Sequence, residues 1–167
     1  MGLIVDTTDF SSGKYKVSQS IHTDLALYIA RYEKQMLVEL LGAELATLYI
    51  ADLTNKVPVT AKYLSLHNAF FEDDGDKIRS SSGVKDMLLG FIWFEYTRDL
   101  VVKNTINGLT KNLSEASEGI QFTENVIYQF YNEAVRTHNT IQWYIDEHAT
   151  DYLEYNGQCK QITGWAL

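Results

Sequence analysis

Apolar residues are spaced differently from segment to segment along the chain, and the longest run without a polar side chain lies near its middle. Residues 87–94 read Met-Leu-Leu-Gly-Phe-Ile-Trp-Phe, so a helix there has no face to offer water and must be enclosed on all sides. The run is far short of the roughly 20 residues that a bilayer span needs, and Lys85, Asp86, Glu95, Arg98 and Asp99 bracket it. The pattern therefore predicts a buried central helix over about residues 83–103, with Ser81 or Ser82 as its cap. Gly90, in its interior, costs about 1 kcal/mol against alanine. It is expected where another helix crosses.

Before this helix, Ile21, Leu25, Tyr28 or Ile29, Tyr32, Met36 and Leu40 recur at three and four residues. They predict a helix over 21–41, with Gly42 positioned to end it. Leu45, Leu48, Tyr49 and Leu53 predict a shorter second helix ending near Asn55, and Pro58 punctuates the chain. Tyr63, Leu64, Leu66, Phe70 and Phe71 predict a short helix within 60–71, with a strand as the rival. Residues 1–19, carrying Thr7, Thr8, Ser11, Ser12 and Gly13, lack periodic apolar positions and read as an extended arm. Residues 72–82 read as an exposed acidic loop. Residues 104–121 read as a polar, hairpin-like excursion, long enough that a role in contact is expected. Val126 or Ile127, Phe130, Ala134, Ile141, Tyr144 or Ile145, His148 and Tyr152 predict a long final helix over 124–155, stopped by Asn156-Gly157. A tail over 157–167 follows. The fold class expected is all-α: a small helical bundle around the central helix, in one domain over 1–167 with a helical core at 20–156.

Composition narrows the function. With 14 basic and 22 acidic side chains the formal net charge is −8, which opposes adhesion to phosphate backbones. Eleven tyrosines and three tryptophans suit a core or a protein interface. The single cysteine, Cys159, forbids an internal disulfide and a multi-thiolate zinc site. The first residues show neither a signal-peptide pattern nor a myristoylation pattern, so a cytoplasmic location is expected.

Tests for catalytic or metal-binding spacing fail. A di-iron bundle needs Glu three residues before a histidine, yet Gln19, Leu64, Val135 and Ile145 precede His22, His67, His138 and His148. His138 and His148 fall about 80° short of sharing a helix face. Placing Gly75 at the turn of a calcium loop would put Phe70 first and Ser81 twelfth, and neither residue suits its position. No phosphate-binding glycine motif occurs, and the serines at 80–82 lack a nucleophile-elbow context. No cofactor, metal or catalytic residue is expected.

Some features concern order along the chain. An early helix carries Tyr28-Ile29-Ala30-Arg31-Tyr32-Glu33 and Leu40-Leu41-Gly42. A serine-glycine entry, Ser82-Gly83-Val84-Lys85, leads through the apolar helix to Phe94-Glu95-Tyr96-Thr97-Arg98-Asp99. A polar loop over 105–119 and a long helix follow. In this arrangement the chain resembles the head-tail connector (adaptor, or head-completion) proteins of tailed bacteriophages, over most of its length.

The resemblance implies a non-catalytic virion protein of the neck, made in the host cytoplasm. It implies a homo-oligomeric ring matching the twelve-fold portal, bound to portal and to tail or neck proteins, with no membrane partner. DNA would pass through the ring without sequence-specific binding. An acidic channel wall would let DNA slide, and Asp146, Glu147, Asp151 and Glu154 of the final helix are the candidate channel-facing residues. Partner contacts are expected from Ile162, Trp165 and Leu167 in the tail, because tryptophan is enriched at interface hot spots. Thr105, Gly108 and Lys111 in the polar excursion are the second expected contact. The alternatives are a small helical protein-interaction or regulatory module, and an enzyme of unfamiliar motif.

Overall fold

A computed structural model describes residues 2–17, 24–75, 77–105, 108–111, 118–157 and 163–164, the side chains of 100–125 excepted. Its core post is the apolar helix predicted from sequence. This helix, α3 (Gly83–Val101), buries Val84, Met87, Leu88, Phe91, Ile92, Trp93, Phe94 and Tyr96. It packs most extensively on the last helix, α4 (Glu118–Glu147), and next on the first, α1 (Leu25–Ala51). Aromatic side chains make much of the α3–α4 seam. Phe94 meets Tyr131 at 4.5 Å between ring centroids, Trp93 meets Phe130 at 5.0 Å and Phe91 meets Tyr131 at 5.6 Å.

α1 is two helices end to end. At Gly42 the backbone takes φ 74° and ψ 165°, a region open essentially to glycine alone, so the break expected from the sequence is present. Breaking the helix frees carbonyls of the preceding turn. The Gln142 side chain of α4, wholly buried, donates from Nε2 to Leu40 O at 3.4 Å.

The expectation of an all-α fold needs correction, because the chain is mostly helical but carries three antiparallel hairpins among the described residues. β1 (Leu53–Thr54) pairs with β2 (Val57–Pro58) through Asn55 and Lys56, whose φ values of 52° and 70° have the sign that a tight two-residue hairpin turn needs. The 60–71 segment divides between its two rival readings, into helix α2 (Ala61–His67) and strand β3 (Phe70–Asp73). β3 pairs with β4 (Ile78–Ser81), so the predicted acidic loop is a hairpin. β5 (Val102–Thr105) and β6 (Gly108–Lys111) form the third; β5 begins in the last two residues expected to be helical, and the expected polar excursion over 104–121 is already α4 from Glu118.

Two further expectations fail. Residues 2–17 are no extended arm: Ile4, Val5, Phe10, Tyr15 and Val17 are all buried around a 3-10 turn at Thr7–Phe10. Their spacing follows no helical or strand period, so a periodicity search passes over them. The final helix stops at Glu147, not near residue 155. Beyond it, separate turns close through Asp151 N to His148 O and Tyr155 N to Tyr152 O, both 2.9 Å. These turns still bury Tyr152, whose hydroxyl donates to Lys62 O at 2.8 Å.

Candidate functional site

The β3–β4 hairpin is acidic at its tip and apolar at its base. The tip is shaped by aspartates that accept backbone N–H groups: Gly75 N donates to Asp73 Oδ1 and Lys77 N to Asp74 Oδ1, each at 2.9 Å. At the base, the Phe70 ring lies 4.7 Å from that of Tyr144 on α4. Between these points Arg79 reaches back, its Nε donating to Asp74 Oδ2 at 2.7 Å while its guanidinium lies 4.5 Å over the Trp143 ring. The hairpin is thereby fixed against the end of α4.

A cleft of about 390 Å³ remains between them, lined by Glu72, Asp73, Asp74, Trp143, Glu147 and His148. His148, the residue just after α4, is oriented by the helix's last turn. Its ring stacks on Tyr144 at 4.1 Å between centroids, and its Nδ1 is 2.9 Å from Tyr144 O, which leaves Nε2 4.0 Å from Glu72 Oε1. Burial, with the Glu72 carboxylate adding to it, raises the Tyr144 phenol above its ordinary pKa. Four carboxylates therefore meet an aromatic wall, with Arg79 already engaged. Such a cleft attracts cations and repels phosphate.

The structure separates the four residues expected to face a channel. Glu147 lines the cleft, Asp146 beside it is exposed on the last turn of α4, and Asp151 is exposed just after the helix. Glu154 is engaged elsewhere: Lys62 Nζ donates to both its oxygens at 3.1 Å. Its own backbone N–H and then Lys62 lower the Glu154 pKa. Glu133, farther back on α4, pairs with Lys14 of the N-terminal segment. What sequence reasoning missed is Glu72, Asp73 and Asp74, more than 70 residues from Glu147 along the chain. The signal was an aspartate-glycine turn between Phe70-Phe71 and Ile78, a hairpin pattern.

Of the expected partner contacts, Thr105 and Gly108 pair at the turn end of the β5–β6 hairpin and Lys111 pairs with Val102 at its base. Ile162, Trp165 and Leu167 lie outside the described residues. Among the described residues no group of three or more metal-ligating side chains is placed to hold an ion. His67 is instead buried against Tyr49, its Nδ1 2.8 Å from the phenol oxygen, and His138 is buried beside Phe91. Comparison with protein-family models, with curated proteins and with solved structures gives no match.

Proposed function

We propose that this chain is a structural virion protein of a tailed bacteriophage, a head-tail connector that forms a ring between the portal and the tail or neck around the DNA channel. The observation that carries this reading is the convergence of two acidic stretches on one end of the molecule: Glu72, Asp73 and Asp74 of the hairpin join Glu147, with Asp146 and Asp151 exposed on and just beyond the last turn of α4. A surface of this sign facing a channel keeps DNA from adhering to the wall. The mostly helical body, bearing hairpins and no helix among the described residues long and apolar enough to cross a membrane, is compatible with that role. The test is assembly. The purified chain, alone or with a portal ring, is expected to form rings visible by electron microscopy. Strictly monomeric behaviour with every neck component would overturn the reading.

A second reading is a protein-interaction module. It is favoured by the outer face of the β3–β4 hairpin, where Phe71 is 77% exposed and Ile78 73% exposed. Two apolar side chains on a projecting hairpin are suited to one protein partner. Stoichiometric binding of a single partner without ring formation would support this module instead.

A further inference from the structure

The β3–β4 hairpin leaves one strand edge open. β4 is the strand packed along α4, whereas β3 has no comparable packing on any described element but β4. Opposed residues of an antiparallel pair alternate between those that exchange hydrogen bonds and those whose main-chain groups point away from the partner strand. Asp74 N donates to Lys77 O at 3.3 Å beside the Asp73–Ile78 pair, so the next ladder bonds fall at Glu72–Arg79 and Phe70–Ser81. Phe71 and Asp73 therefore direct both N–H and C=O to the open edge.

The two faces that meet at this edge differ. On the outer face stand Phe71 and Ile78, the exposed apolar pair, as diagonal neighbours in the register. On the inner face Glu72 lines the cleft with Trp143 and Glu147. The fold itself shows what suits that cleft: the Arg79 guanidinium lies over Trp143 and pairs with Asp74. Among the described residues no lysine or arginine pairs with Glu72 or Glu147, and the nearest cationic group to Glu72 is the His148 ring at 4.0 Å.

A strand added to the β3 edge would send alternate side chains to these two faces. Main-chain hydrogen bonds at Phe71 and Asp73 would supply affinity, and the alternation would supply specificity. A second copy's β3 is a poor occupant, because it would lay an acidic edge against an acidic edge. Charged side chains on an edge guard it against indiscriminate pairing. Here they stand with two large exposed apolar side chains, so the edge rejects acidic strands and admits basic ones.

We propose that the β3 edge takes up an extended segment of a partner protein in which lysine or arginine alternates with apolar residues. The basic side chains enter the cleft beside Glu72 and Glu147, and the apolar ones cover Phe71 and Ile78. The proposal rests on the protein-interaction reading above and gives the partner its chemistry.

The probe is a synthetic peptide of about eight residues alternating lysine and valine. A peptide of the same composition with all lysines before all valines is the control. Amide exchange followed by NMR locates the binding. The alternating peptide should slow exchange at Phe71 and Asp73 while leaving Glu72, whose amide is already bonded within the hairpin, unchanged. It should bind about tenfold more tightly than the control, and N-methylation of the peptide amides that face β3 should remove about as much. Phe71→Ser with Ile78→Ser, and separately Glu72→Gln with Glu147→Gln, should each weaken binding severalfold without lowering the melting temperature by more than a few degrees. Equal binding of both peptides without protection at Phe71 and Asp73 would overturn the strand addition and leave the interaction reading standing, with a surface read by charge alone. Protection at these two amides that rises with protein concentration in the absence of peptide would overturn the basic partner in favour of a second copy. Binding of neither peptide would overturn the inference and remove this hairpin from the interaction reading.

Discussion

Gly90 of α3 faces Ala134 of α4 so closely that a Cβ built on the glycine would lie 2.8 Å from the Ala134 Cβ and 3.3 Å from Phe130 O. Two helices cross where both backbones can approach, and neither neighbouring atom is the end of a flexible side chain. Gly90→Leu should therefore overpack the crossing and cost about 1–3 kcal/mol. Gly90→Ala should also destabilise, because the clash opposes the roughly 1 kcal/mol gain in helix propensity. The urea midpoint of unfolding checks both, and an unchanged midpoint for the leucine variant would mean that the helices part freely.

Glu33 offers a test of how the N-terminal segment is held. Glu33→Ala removes the acceptor for three backbone N–H groups at once, and hydrogen bonds to a charged group are worth about 1.5–3 kcal/mol each, though not additively. The variant should lose about 2–4 kcal/mol of stability. Amide exchange at Leu3, Ile4 and Val5 should accelerate more than exchange in α3. Glu33→Gln, which keeps one acceptor oxygen, should recover part of the loss.

Acid sensitivity is expected to begin with histidine rather than carboxylate. Burial lowers the pKa of His67 below its ordinary 6.5, with Lys85 adding to the effect. Burial also lowers that of His138, against smaller opposing contributions from Asn139 and Glu39. Below pH 6.5 the unfolded chain then binds more protons than the folded one, so stability is full above that pH and falls as pH drops toward the folded-state values. The loss at pH 5.5 is at most about 1.4 kcal/mol per imidazole. Asp6, Asp52 and Glu154, whose pKa values are lowered by their partners, add their own loss only in the carboxylate range below. Melting curves from pH 7.5 to 5 should shift downward in the parent chain, and should shift less once His138 is replaced by glutamine.

For the channel reading, the informative substitutions are those on the acidic end. Lysine at Glu72, Asp73, Asp146 and Glu147 should leave the melting temperature within a few degrees, since surface changes seldom exceed about 0.5 kcal/mol each. Assembly should persist while DNA ejection slows. Glu154→Lys belongs in a separate experiment, because it breaks the pair with Lys62 and should lower stability without a specific effect on ejection. Normal ejection from fully assembled quadruple-lysine particles would remove the acidic wall from the mechanism.

What the sequence determined by itself was local and periodic. The apolar stretch of α3 had to be enclosed because it offers no polar face. Gly42 had to interrupt α1 because its position follows the last periodic apolar residue, and Gly90 had to mark a crossing because nothing else justifies a glycine inside a buried helix. Only the tertiary structure decided the rest. Ile4, Val5, Phe10, Tyr15 and Val17 are buried by a loop that is seated on the body through Glu33, Lys56 and Lys85, which lie elsewhere in the chain. The end of α4 was illegible because the turns after Glu147 preserve the spacing of buried residues that a continued helix would have. The cleft was illegible because Glu72 and Glu147 are brought together by Phe70 on Tyr144 and Arg79 on Trp143. Contacts between distant segments leave no periodic trace along a single chain, because side-chain packing across elements, not backbone propensity, selects them.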